Sequence, residues 1–115
     1  MISNGVDLIE LKKAKNIYRA HKRCLDSFFS LQEIAYIQKS RNAHERFAIL
    51  LAAKESVFKA VCRLETGLSV FKDIEVVLER GNYFSVKFSG LSKKPKVAFS
   101  IIKNKKYVVV QCVGT

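Results

Sequence analysis

The feature that most constrains this chain is the segment spanning residues 43–63, a long and strongly apolar run interrupted by few charges. Its length exceeds that of an ordinary strand, so it predicts a central buried helix. Between Phe47 and Cys62 its charged residues are Lys54, Glu55 and Lys59. A glutamate in so apolar a helix should not be buried without compensation. Glu55 and Lys59 are four residues apart and therefore share one helix face.

The remaining pattern supplies partners for that helix. Residues 4–9 read as a first strand. A helix is predicted over 11–25, where Leu11, Ala14, Ile17, Tyr18 and Leu25 fall near helical spacing. Its other face carries Lys12, Lys13, Lys15, Arg19, Lys22 and Arg23. Ser30 with Glu33 fits a capping box, opening a short helix that ends near Lys39. Asn42 with Glu45 repeats the signal less cleanly. After Gly67, the segments Ile74–Leu78, Tyr83–Phe88, Val97–Ile102 and Tyr107–Val113 are rich in β-branched and aromatic residues. Gly81-Asn82 and Lys103-Asn104-Lys105 lie between them as turn signals. The second half thus reads as an antiparallel meander. Helices first and strands afterwards predict an α+β domain whose sheet packs on the long helix. At 115 residues, with one proline and no linker composition, residues 1–115 are expected to form a single domain.

Composition narrows the class. No apolar run approaches the roughly 20 residues of a spanning helix, and the N-terminal pattern does not lead one to expect a secretory signal. Cys24, Cys62 and Cys112 are odd in number and widely spaced, which predicts reduced, buried thiols in a cytoplasmic protein. The 21 basic and 10 acidic residues give a net charge of +11, so anionic partners are expected. Nucleic acid would satisfy that charge, but the chain has no recognised nucleic-acid motif and no basic-aromatic interleaving.

Asp7 interrupts the first apolar strand. Its ordinary role would be a cap at the strand end; its sharper one is a metal ligand. Magnesium takes one or two protein carboxylates and fills its other positions with water and substrate phosphates. Glu55 is the best second carboxylate. Glu55 and Lys59 read plainly are an exposed ion pair worth about 0.3–0.5 kcal/mol. Beside Asp7, Lys59 gains a second role, reaching a phosphate while Glu55 holds the metal. Lys54 alone reads as a solvated lysine. His21, His44, Ser56, Ser100 and the cysteines lack a nucleophile-base-orienter pattern, and there is no glycine-rich phosphate loop.

Three motifs together resemble the holo-acyl-carrier-protein synthase family, the small phosphopantetheinyl transferases. They are Gly5-Val6-Asp7-Leu8-Ile9-Glu10; Glu45-Arg46 followed by Ala52-Ala53-Lys54-Glu55 and Lys59-Ala60; and Phe71-Lys72-Asp73-Ile74-Glu75-Val76. The resemblance implies that family's fold, and transfer of phosphopantetheine from coenzyme A to a serine of acyl carrier protein, releasing 3′,5′-ADP. It implies that Asp7 and Glu55 bind magnesium with the coenzyme pyrophosphate. Glu55 and Lys59 would be catalytic, and Lys54, Lys59 and Arg46 would contact the cofactor. Lys13, Arg19 and Lys22 would dock the acidic carrier. The proton acceptor stays open between Glu55 and a metal-held water. A homotrimer with active sites at subunit interfaces is also implied. The chain departs from the family pattern at Leu50-Leu51, where Arg-Phe is usual. It departs again at Cys62–Gly67, in place of a glycine-rich segment, and at Lys103, in place of histidine. These departures motivate a second reading, a non-catalytic homologue that binds a carrier or another acidic partner through its basic helix.

Overall fold

The computed structural model describes residues 2–62, 73–79, 83–89 and 94–115. Strand β1 (Ser3–Glu10) runs directly into helix α1 (Leu11–His21), followed by a 3-10 turn at Leu25–Ser27. Helices α2 (Leu31–Gln38) and α3 (Ala43–Val61) come next. Strands β2 (Ile74–Glu79), β3 (Tyr83–Phe88), β4 (Val97–Lys103) and β5 (Tyr107–Gly114) complete the chain. The architecture is α+β, as the sequence predicts.

Helix α3 is the hub, because its apolar residues occur on nearly every side. Phe47, Ala48, Leu50, Ala52, Ala53, Val57, Ala60 and Val61 are all buried. It packs on β1, β5, α1, α2 and β2. Each large side chain removed from water here contributes about 1.5–3 kcal/mol. The inward faces of β1 and β5 meet α3 through Gly5 and Ile9 and through Val108, Val110 and Cys112. Phe47 also joins α1 to the turn before α2: its ring lies 5.5 Å from Tyr18 and 5.7 Å from Phe29.

Several boundaries differ from the sequence reading, each for a local reason. α1 ends at His21, not Leu25, and the 3-10 turn carries Leu25 into the core instead. Leu25 therefore matches the helical spacing without being helical. Ser30 and Glu33 form the full capping box, at 2.9 and 3.2 Å. Asn42 does not repeat it: its side chain donates to Glu45 Oε2 and accepts no backbone N–H. The late strands form two antiparallel hairpins, β2–β3 and β4–β5, in place of one meander. β1 pairs with β5 in the order β1-β5-β4, so the N-terminal strand completes the second sheet. The Gly81-Asn82 turn and the Cys62–Gly67 departure beyond Cys62 lie outside the described residues, as do Phe71 and Lys72 of the third motif.

The outer face of the three-stranded sheet keeps an apolar row across its strands, beside exposed Asn4, Ser100 and Gln111. Register places Leu8 beside Val109 and Val109 beside Ile102. Leu8 and Ile102 are 59% and 70% exposed, and Val6, Tyr107 and Val113 are exposed with them. The expectation of three buried thiols is corrected: Cys24 and Cys62 are exposed, and only Cys112 is buried. No described helix is long and apolar enough to cross a membrane.

Candidate active site

The site begins with a glycine. A side chain at Gly5 would place its Cβ 2.2 Å from the Ser56 carbonyl oxygen and 2.8 Å from Ala60 N and Lys59 Cβ. Only glycine lets β1 lie against the α3 backbone at this distance. Strand alternation then puts Asp7 on the same face as Gly5, toward the helix. Lys59 reaches across from α3 and donates to Asp7 Oδ1 and to the Val6 carbonyl, both at 3.1 Å. The Lys59 side chain is half exposed and that of Asp7 one-fifth exposed, so the pair opens to solvent. Glu55 stands one turn before Lys59 on that helix and is half-buried. No hydrogen-bond or ion-pair partner is found for it among the described residues. The i,i+4 ion pair expected between Glu55 and Lys59 does not form; Lys59 turns to Asp7 instead.

Glu55 also lines an apolar cavity of about 350 Å³ between α1, the 3-10 turn and α3. Ile17, Leu25, Phe28, Phe29, Phe47 and Leu51 form its walls together with His21. Lys13, Arg19 and Lys22 are exposed on or just after α1, so the basic face projects beside this cavity. A second, polar cleft of about 640 Å³ is lined by Lys12, Lys15, His44, Lys103 and Lys105, among others. There Lys103 is paired with Glu45.

Two expected cofactor contacts are corrected. Lys54 is completely buried and bonded to Glu33 at 2.9 Å and to the Phe28 carbonyl at 2.9 Å. It is neither solvated nor free to meet a ligand. Arg46 bonds the Tyr36 carbonyl at 2.6 Å and stacks 4.2 Å above the Tyr36 ring. It lies 13 positions before Lys59 on α3, which is roughly 20 Å of helix rise. One chain does not bring it to the Asp7–Lys59 pair.

The donors present suit a hard cation. No group of three or more His, Cys, Asp or Glu is found among the described residues. Asp7 and Glu55 offer two carboxylates without a thiolate or imidazole, which matches magnesium better than zinc.

The family model of the 4′-phosphopantetheinyl transferase superfamily matches residues 3–112. The chain belongs to that superfamily. Among relatives, the holo-(acyl-carrier-protein) synthase of Koribacter versatilis is 35% identical over 78% of this chain and 73% of its own length. The synthase of Clostridium acetobutylicum is 38% identical over 63% of this chain. That aligned stretch spans 57% of the Clostridium protein's own length. A Bacillus anthracis holo-(acyl-carrier-protein) synthase solved with coenzyme A (3′,5′-ADP) superimposes with a TM-score of 0.76 at 26% identity. It covers 97% of this chain and 94% of that one. A coenzyme A complex from Chronobacterium ammoniagenes gives 0.81 at 23% identity, covering 99% and 96%, and supports the fold.

Within this superfamily frame, the departures acquire places. Leu50, at the usual arginine position, is fully buried in the core, and Leu51 lines the apolar cavity. Sequence reasoning passed over two contributors. Gly5 lies in the first motif, but the motif does not show that a glycine there lets Asp7 approach α3. Glu33 fits a cap, and no local pattern marks its pairing with Lys54 21 residues away.

Proposed function

We propose that this chain transfers 4′-phosphopantetheine from coenzyme A to a serine of an apo acyl carrier protein, releasing 3′,5′-ADP. The observation that supports this reading is the Asp7–Lys59 contact where β1 crosses α3, with Glu55 one helical turn before Lys59 and no partner found for it among the described residues, in a chain matched to the superfamily over residues 3–112. The carrier serine oxygen attacks the β-phosphorus of coenzyme A. A serine O–P bond forms, and the bond from that phosphorus to the oxygen of the 3′,5′-ADP leaving group breaks. Glu55 is the chain's own acceptor for the serine proton, since no side chain competes for its carboxylate among the described residues. Lys59 directs a cation at the reacting phosphate and offsets charge that develops there, the usual source of rate in phosphoryl transfer.

Asp7 and Glu55 would hold magnesium. When bound, the ion supplies positive charge to the coenzyme pyrophosphate. The exposed basic face of α1, with Lys13, Arg19 and Lys22, receives an acidic carrier and increases its association rate. The apolar outer face of the β1-β5-β4 sheet supports self-association, for which a homotrimer is the proposed state. A cytoplasmic location fits this chemistry and its substrates.

The alternative, a non-catalytic homologue, draws support from the buried Leu50 and from Lys103, which is engaged with Glu45. Transfer assays on Asp7→Ala and Glu55→Ala separate the two readings. Both variants should stay folded and lose more than about 100-fold in kcat, the scale of a lost acid–base or charge-stabilising group. Wild-type rates in both would eliminate the proposed site.

A further inference from the structure

Two oppositely charged side chains are completely buried: Glu33 on α2 and Lys54 on α3. Charges removed from water at such cost call for full compensation, and each has several partners. Lys54 Nζ donates to Glu33 Oε1 and to the Phe28 carbonyl, each at 2.9 Å, and lies 5.1 Å above the Phe29 ring. Glu33 Oε1 also accepts from Ser30 N at 2.9 Å, and Oε2 accepts from Val76 N at 3.0 Å. Two side chains thereby tie together the 3-10 turn, α2, α3 and β2.

Their place in the chain gives the network a direction. Lys54 directly precedes Glu55. An anchored side chain at 54 fixes the rotation of α3 about its axis, and so the direction in which Glu55 leaves the helix, about 100° away at 3.6 residues per turn. The same ammonium holds the carbonyl of Phe28, which with Phe29 walls the cavity that Glu55 lines. One cation therefore sets the carboxylate and the opposing wall relative to each other.

We infer that the Glu33–Lys54 pair positions Glu55 and the Phe28–Phe29 turn for transfer, without itself touching substrate. This role rests on the transferase reading above. A pair that only held the fold would be replaceable by uncharged groups of similar shape, with neutral effect once both charges are gone.

The test is the double variant Glu33→Gln/Lys54→Met, which removes both charges and keeps the approximate volumes. Unfolding midpoint, coenzyme A affinity by calorimetry, and kcat and KM for each substrate are measured beside wild type. The expected result is a folded protein whose coenzyme A affinity stays within about twofold while kcat falls about 10-fold or more, as misplaced reacting groups require. A folded double variant with unchanged kcat would overturn the role, as would parallel losses of coenzyme affinity and kcat. If the double variant does not fold, Glu33→Gln alone decides on the same two readouts, because it keeps the Lys54 cation and an acceptor oxygen. A wild type inactive toward every carrier would overturn the transferase reading and the positioning role with it. An active wild type with an unchanged variant would overturn the positioning role alone.

Discussion

At the scale of single residues, the proposed site depends on how closely β1 approaches α3 at Gly5. Gly5→Ala places a methyl group into the Ser56 carbonyl, so strand and helix must separate. The expected cost is about 1–3 kcal/mol, as for other overpacked sites, together with lost transfer activity as Asp7 withdraws from Lys59. Urea denaturation and a transfer assay would read the two effects. Asp7, Glu55 and Lys59 stand out in the sequence because charged residues in apolar elements demand an explanation, and the structure brings two of them, Asp7 and Lys59, together. Lys54 was not, because a lysine beside a glutamate reads as solvated when the residue that neutralises it lies on another helix. The thiols separate in the same way. Burial pushes the Cys112 thiol up to about 11. Alkylation of the native protein at neutral pH should therefore label Cys24 and Cys62 and spare Cys112, giving two adducts per chain. Burial favours the neutral thiol, so this contribution to stability is complete below the ordinary value of 9.0 and lost as pH rises through about 11. Three adducts under native conditions would contradict the burial.

At the scale of elements, α3 was readable to within two residues, ending at Val61 and not near residue 63, because a long apolar run leaves little choice of structure. Boundaries set by turns were less so. The residues after His21 carry no glycine or proline, and the 3-10 turn keeps Leu25 at a spacing that a longer helix would also satisfy. The pairing of β1 with β5 joins the two ends of the chain, and no local pattern encodes such a pairing. The capping box of α2 was legible because its two reciprocal hydrogen bonds span only three residues. Ser30→Ala should cost about 1 kcal/mol, the usual loss for a removed N-cap, measurable as a shift in the denaturation midpoint. On α1, charge reversal at Lys13 and Arg19 should weaken carrier binding at least about 10-fold, a cost of about 1.4 kcal/mol, and leave coenzyme affinity unchanged. Equal losses for both ligands would argue against α1 as the docking face.

At the scale of the whole molecule, the proposed associations rest on the net charge of +11 and on the exposed sheet face. With a net charge of +11, the encounter rate with an acidic carrier should fall as salt is raised from low to physiological strength. Self-association should depend on the outer sheet face. Leu8→Asp places a charge at a 59%-exposed apolar position, so it should shift the proposed trimer to monomer in sedimentation without unfolding the domain. An unchanged sedimentation coefficient would remove that face from the interface. The central claim concerns chemistry, and one measurement reaches it most directly. The protein is mixed with magnesium, coenzyme A and an apo acyl carrier protein, and the carrier is weighed by mass spectrometry. A phosphopantetheine mass gain that disappears on chelation is the predicted result. No gain on any of several carriers, with the protein shown to be folded, would contradict it.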